Sequence, residues 1–243
     1  MKRGDEKNRK IAKQYITNKI EIDCVIFNFE NNSLKVLLVK QQDNEGVITW
    51  GLANDYIKKG ETILSTAHNI LQHYIDGDQF FLEQLKAFSY QSSFSLQEDI
   101  SIAYYALVKR DNNKDNLFSA DVKWVGINEI VGLNDKHKII LDFSLKELRS
   151  NICKSAIGFN LLPQKFTLLQ VINLYEEILG IEINKSNFRR KLLQTGIVND
   201  SNEKEEDVSH RAARFYSLNI QQHEGVSQRE INFNFNFNMR DTN

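Results

Sequence analysis

The tightest constraint on the fold lies late in the chain, where two short helical patterns are separated by only a few residues. Thr167-Leu168-Leu169-Gln170 fits a capping box, in which a threonine hydroxyl and a glutamine side chain reciprocally satisfy free amides at a helix start. The pattern predicts a helix to Leu179, stopped by Gly180, because glycine takes the left-handed conformation that closes a helix. Ile181 to Asn184 then leads into a second helix at about Lys185 to Thr195, stopped by Gly196. Two helices joined so tightly read as a helix-turn-helix. A polar segment, Asn199 to Ser209, next separates Ile197-Val198 from Arg214 to Leu218. Two short strands around such a loop would make a wing.

Upstream the apolar pattern shortens to strand length. Ile20 to Phe29 and Leu34 to Val39 flank Glu30-Asn31-Asn32-Ser33, a turn signal, and predict a hairpin whose strands are apolar on both faces and therefore buried. Ile63, Leu64, Ala67, Ile70, Leu71 and Tyr74 recur at helical spacing, with His68, Asn69, Gln72 and His73 on the polar side. Further strands are expected at Leu85 to Tyr90, Ile100 to Val108 and Val122 to Val125, and a helix from about Lys138 to Asn151. A chain of 243 residues accommodates two domains. The expected division is a basic arm (1–19), a mixed α and β domain (20–152), the helix-turn-helix with its wing (153–219) and a tail (220–243). In that tail Ile231, Phe233, Phe235 and Phe237 alternate with asparagines, as in a strand with one apolar face that needs a sheet edge or a second subunit.

Composition removes several classes. The longest apolar run, Ile102 to Val108, is far short of the roughly 18 to 20 residues that cross a bilayer, and no apolar stretch near Met1 resembles a signal peptide. A cytoplasmic protein without membrane contact is expected. Two cysteines, Cys24 and Cys153, make neither a disulfide framework nor a zinc site. A formal charge of -1 excludes a uniformly basic coat, so nucleic acid would have to meet a local patch.

Trp50-Gly51-Leu52-Ala53-Asn54-Asp55-Tyr56-Ile57-Lys58-Lys59-Gly60-Glu61, with the helix behind it, resembles the opening of the Nudix box, G-x5-E-x7-R-E-U-x-E-E-x-G-U. In register on Glu61, the first glycine is Asp55, the R-E pair falls on Asn69 and Ile70, the E-E pair on His73 and Tyr74, and the last glycine on Asp76. A pyrophosphate hydrolase needs those carboxylates as oxygen ligands for Mg2+. One glutamate survives, so no catalytic residue, metal or cofactor is expected, and the bland role of Glu61 is a cap or hydrogen bond at its own helix start.

The carboxy-terminal blocks carry a more specific resemblance. Ile157-Gly158-Phe159-Asn160-Leu161-Leu162-Pro163, Lys165-Phe166-Thr167-Leu168, Leu174-Tyr175-Glu176, Ile178-Leu179-Gly180 and Asn187-Phe188-Arg189-Arg190-Lys191 are similar to segments of the Nudix-related transcriptional regulators. Arg211-Ala212-Ala213-Arg214-Phe215-Tyr216 resembles their wing motif, and Ser101 to Leu107 their sensor strand. The resemblance spans about Ile20 to Asn219. It implies an α+β fold, a Nudix-like α/β/α sandwich with a mixed sheet followed by a winged helix. It also implies a homodimeric regulator of carbohydrate or NAD metabolism that binds a palindromic DNA operator under control of a small metabolite. Where the family often has D-R-D-P and then an arginine, this chain reads Ser92-Ser93-Phe94-Ser95 and then Glu98. Loss of the arginines disfavours an anionic ligand such as ADP-ribose, and a neutral polyol or sugar, or no small effector at all, fits these residues better; the effector class expected for the chain as a whole is a sugar or a nucleotide-sugar derivative.

A helical wheel of about 100° per residue puts Phe188, Leu192 and Leu193 on the inner arc of the second helix. Ser186, Asn187, Arg190, Lys191 and Gln194 lie outside, a face without carboxylates. The expected DNA contacts are these five with Lys185, Arg189, and Arg211 and Arg214 at the wing base. Arg190 and Asn187 are the residue types that read guanine and adenine edges. Arg189, between the inner leucines, has an alternative role as an anchor to Glu176 or Glu177. Lysines and arginines balance acids between Ser155 and Asn219, and Asp200, Glu203, Glu205, Glu206 and Asp207 in or beside the wing loop would keep its tip off phosphates. Effector contacts are expected from Asp55, Tyr56, Glu61, Ser92 and Glu98, at the ends of strands where ligands usually bind. Two other readings remain: a Nudix-type hydrolase with a metal site rebuilt on Glu61 and His73, and a protein-binding adaptor.

Overall fold

The computed structural model describes residues 20–42, 46–75, 80–91, 98–109, 120–205 and 212–219. The basic arm, Ser92, Asp76, His210, Arg211 and the alternating tail lie outside them. The hairpin forms as the pattern requires. Strands β1 (Ile20–Glu30) and β2 (Ser33–Gln42) pair antiparallel, Phe29 opposite Leu34. They are joined through Asn31 and Asn32 at φ 53° and 59°, left-handed positions that asparagine tolerates and that match the twist of a tight hairpin. β3 (Ile48–Gly51), β4 (Ala53–Tyr56), helix α1 (Ile63–Tyr74), β5 (Phe80–Gln91), β6 (Glu98–Val108), β7 (Val122–Gly126) and α2 (Asp135–Ile152) follow. The sheet runs β3-β2-β1-β6-β5, with β4 also on β1 and β7 on β2. The central pair β1 and β6 is parallel and the other pairs are antiparallel, which makes the sheet mixed.

Alternation along β1 decides which helix covers which face. Ile22, Cys24 and Ile26 turn toward Ala67, Ile70 and Leu71 of α1. Val25 and Phe27 turn to the other side, with Ile140 and Leu148 of α2. That second core does not stop at the sheet. It continues through a 3-10 turn (Ala156–Leu161) into α3 (Leu168–Leu179) and α4 (Lys185–Gln194), where Tyr175 and Phe188 are buried. Four hydrogen bonds fasten α3 to the sheet domain. Leu34 N–H donates to Glu177 Oε1 (3.1 Å), Asn173 Nδ2 to Asn32 Oδ1 (2.9 Å), Arg149 Nε to the Ile178 carbonyl (2.7 Å), and the buried Tyr175 hydroxyl to the Ile152 carbonyl (3.2 Å). β8 (Phe166–Thr167), β9 (Val198–Lys204) and β10 (Arg214–Leu218) form a second sheet in the order β8-β10-β9. The molecule is thus a Nudix-like mixed α/β domain followed by a winged helix.

Several expectations need correction. β3 and β4 occupy the Trp50 to Tyr56 segment, where strand pattern is hidden by short length and polar residues. β9 runs on to Lys204, so Asp200 and Glu203 stand on a strand rather than in the wing loop; an outer strand in a small sheet tolerates polar side chains because one side meets water. Leu64 and Leu193 were assigned inward, yet they are 55% and 46% exposed. The helix surfaces that meet a neighbour are narrower than the apolar arcs that predict them.

Candidate functional site

The winged helix is assembled from local signals. Thr167 N–H donates to Gln170 Oε1 (2.8 Å) and Gln170 N–H to Thr167 Oγ1 (3.2 Å), the reciprocal cap expected at α3. Gly180 closes that helix at φ 67°. Glu176 Oε1 accepts from Ile183 N–H (2.9 Å), and Asn184 Oδ1 caps α4 through Asn187 N–H (3.0 Å). Phe188 and Leu192 sit in the core, the Phe188 ring 5.4 Å from that of Tyr175. With those two inward, Lys185, Ser186, Asn187, Arg190 and Gln194 are exposed and Lys191 is half-buried.

Arg189 is exposed as well. Its alternative role as an anchor is not realised: Glu176 and Glu177 accept backbone N–H groups instead, and Arg189 forms no ion pair among the described residues. It lines a cleft of about 730 Å³ between the start of α3 (Thr167, Leu168, Leu169) and the wing base (Ala213, Arg214). Glu205 lines the same cleft, so two guanidinium groups and one carboxylate border it. Arg214 is engaged: its Nη1 lies 2.8 Å from Asp200 Oδ2. The Asn202 N–H and the Arg214 guanidinium hold the Asp200 carboxyl below its usual range, and Asp200 in turn raises Arg214. Lys165 pairs likewise with Glu203, at 2.7 Å. Arg190 Nη2 donates to Asn187 Oδ1 at 2.9 Å.

Of the residues expected to meet an effector, Asp55, Tyr56 and Glu98 lie at one end of the large sheet, while Ser92 lies outside the described residues. Tyr56 of β4 stands opposite Glu21 of β1, which stands opposite Ser101 of β6. Glu98 lies just upstream on β6, opposite Gln91. Asp55 Oδ2 pairs with Lys58 Nζ at 2.7 Å; that bond, with the Tyr56 N–H, keeps its carboxyl below the usual range. Both Glu61 oxygens are occupied, Oε2 by Lys58 N–H (3.1 Å) and the Thr66 hydroxyl (3.0 Å), Oε1 by Asn69 Nδ2 (3.2 Å). These bonds lower its pKa and place it in the bland role, tying the loop to its own helix. Ile70, at one of the Nudix carboxylate positions, is buried in the core, while His73 is exposed. Among the described residues no three His, Cys, Asp or Glu side chains group as a metal site, and no helix is long and apolar enough to cross a membrane.

Beneath this end lies a polar cluster that sequence reasoning missed. Asp23 is fully buried and accepts from the Ser101 hydroxyl. Lys136 Nζ, at the start of α2, reaches Asp23 Oδ2 at 3.0 Å and Glu21 Oε2 at 2.8 Å. His137 Nε2 lies 3.2 Å from Asp23 Oδ1, while its Nδ1 is 3.3 Å from the Leu52 N–H, so the geometry assigns the ring proton to Nε2. Burial pushes the Asp23 pKa up, but hydrogen bonds from His137 and Ser101 and the charge of Lys136 outweigh it and bring it to about 2. Asn54 of β4 joins through Nδ2, 3.4 Å from Asp23 Oδ1. The available signal was Glu21 and Asp23 inside an otherwise apolar strand, since buried acids are rare unless paired. The thiol of neighbouring Cys24 is pushed up by burial and by the Asp23 charge.

Comparison with known proteins agrees with this architecture. Residues 158–218 match the family described as the NrtR DNA-binding winged helix domain. The ADPR responsive transcriptional repressor NtrR of Acinetobacter baylyi is 22% identical over 215 residues, covering 86% of this chain and 86% of the relative. The crystal structure of Shewanella oneidensis NrtR complexed with a 27mer DNA superposes with a TM-score of 0.73 at 24% identity, covering 82% of this chain and 93% of that one. A MutT/nudix family protein from Enterococcus faecalis superposes at 0.66 with 16% identity, covering 84% and 88% respectively.

Proposed function

We propose that this chain, a Nudix-like domain joined to an NrtR-type winged helix, is a cytoplasmic transcriptional regulator that binds a palindromic DNA operator as a homodimer. The observation that carries the proposal is the outer face of α4, where Lys185, Ser186, Asn187, Arg190 and Gln194 are exposed without a carboxylate among them. Lys185, Ser186, Lys191 and Gln194 hold phosphates or sugar, Arg190 and Asn187 reach base edges, and Arg189 receives a backbone phosphate in its cleft. Arg211 and Arg214 serve the wing, Arg214 only when it exchanges Asp200 for a phosphate. One short helix reads few base pairs, and a two-fold operator supplies the rest.

The Nudix-like part acts as the sensor rather than as a hydrolase. Glu61 is bonded within its own loop and helix, Ile70, His73 and Tyr74 stand at the remaining carboxylate positions of the resemblance, and Asn69 at its arginine. The effector belongs to the sugars or nucleotide-sugar derivatives, and the name of the Acinetobacter relative adds ADP-ribose to the compounds to be tested. It meets Asp55, Tyr56, Glu61, Ser92 and Glu98. Asn54, Asp23, Lys136 and His137 connect this end to α2, and α2 connects through Arg149 and Ile152 to α3. The units meant are the arm 1–19, the sensor 20–152, the winged helix 153–219 and the tail 220–243.

Selection of bound sequences from random duplex DNA, with wild type beside Arg190→Ala, tests the proposal. Enrichment of an inverted repeat by wild type and its loss in the variant are expected; enrichment by neither protein removes DNA recognition. Titration of ADP-ribose and of arabinose against the protein, alone and on its operator, tests the sensor. Linkage requires the same factor in both directions, typically about 1 to 3 kcal/mol.

A further inference from the structure

On the proposed reading that α4 enters the major groove, we infer that Asn187 and Arg190 act as one braced array of donors that selects acceptor-bearing base edges, guanine first, and rejects adenine beside it. Arg190 lies one turn after Asn187, and its Nη2 donates to Asn187 Oδ1 at 2.9 Å. Guanidinium has only donors, so the orientation of the amide follows from chemistry: the oxygen faces Arg190 and Nδ2 faces away. Among the described residues nothing else engages either side chain. What the pair offers to DNA is therefore chiefly donors, the remaining N–H groups of Arg190 and the two hydrogens of Asn187 Nδ2, beside one remaining lone pair on Oδ1 that lies next to the guanidinium.

An unbraced asparagine suits adenine, because it accepts from N6 while donating to N7. Here an adenine amino group would have to share Oδ1 with the guanidinium that already takes one of its two lone pairs, and would approach beside that cation, donor against donor, which weakens the pairing with adenine. Guanine offers O6 and N7, both acceptors, which match the Arg190 fork, and thymine offers O4. The half-site should carry guanine opposite Arg190 and guanine or thymine opposite Asn187 Nδ2. The brace also holds Arg190 in one rotamer before DNA arrives, so less side-chain freedom is lost on binding.

Asn187→Asp separates this inference from a general contribution to binding. Its carboxylate still accepts from Arg190, and an acid in the first turn of α4 suits the helix, but the outward donor becomes an acceptor. Full-length wild type and Asn187→Asp are each put through selection on random duplexes, and wild-type affinity is then measured on its enriched site carrying 7-deazaguanine or inosine for single guanines. The expected result is a guanine position whose 7-deaza form binds about tenfold or more weakly while inosine, which keeps O6 and N7, binds as before. In Asn187→Asp the neighbouring preference switches from guanine or thymine to cytosine or adenine by a similar factor. Adenine opposite Asn187 in the wild-type site, or an unchanged preference in Asn187→Asp, overturns the inference and leaves DNA binding intact. Absence of any enriched site for wild type overturns both.

Discussion

The two faces of the large sheet are buried in different ways. Among the described residues one is covered by the single helix α1, which packs Ala67, Ile70 and Leu71 on β1 and β6 and leaves His73 and Leu64 to solvent. The other is covered by α2, and its core continues through Tyr175 and Phe188 into the winged helix. The face with the Nudix-like helix is self-contained, whereas the opposite face has no boundary in its packing between sheet and winged helix. Any influence of a ligand on α4 can therefore reach it through α3, which both the hairpin and α2 hold directly and pack too tightly to move as a loose tether would.

The largest expected effect tests that continuity. Phe188→Ala should cost about 3 to 5 kcal/mol, as large-to-small changes in a packed core do. Hydrogen exchange should report the same loss at amides of β2 as at those of α3. Full protection of β2 beside a loosened α3 would mean that the two units unfold separately. Asp23→Ala removes one of the two carboxylates that pair with Lys136 and takes the acceptor from His137 Nε2. Removing one partner of a buried pair costs about 3 to 5 kcal/mol, and urea denaturation of the variant measures it.

Acid probes the same cluster without mutation. The Asp23 pKa is depressed in the folded protein to about 2, against roughly 3.9 in an unfolded chain. Its contribution, about 2 to 3 kcal/mol, is fully present above the unfolded value and disappears as pH falls from about 4 toward 2. Asp23→Asn should flatten that part of the stability profile, and an unchanged acid limb would contradict the ion-pair geometry. On the self-contained face, Leu64→Ser should change stability by less than about 0.5 kcal/mol, since the side chain is 55% exposed, whereas Ile70→Ala should cost about 2 to 5. The smallest expected change in stability is at the wing. Asp200→Asn should leave the unfolding midpoint unmoved, but by freeing Arg214 it should steepen the salt dependence of duplex binding by about one unit of slope.

Much of the fold was legible because its signals are short-range. The Thr167 to Gln170 cap, the Gly180 stop, the Asn31-Asn32 turn and the helical spacing from Ile63 to Tyr74 each act over a few residues, where backbone hydrogen bonding and periodicity suffice. The missed strands, Ile48–Gly51 and Ala53–Tyr56, are four residues each, too short for a period to emerge. The outer face of α4 followed from the positions of Phe188 and Leu192. Arg189 in its cleft and the Arg190 to Asn187 bond did not, since they depend on how α4 meets the wing and on rotamers chosen in three dimensions.

By itself the sequence determined the order of the longer elements, the two styles of architecture and a helix face free of acids, because each is a matter of residue identity and local spacing. Only the tertiary structure decided that Asp23 would be held by Lys136, 113 residues away, that Glu177 would fasten α3 to the hairpin, and that Asp200 would hold Arg214. Charged groups find their partners through packing rather than sequence distance, and burial then determines how firmly each pair is held.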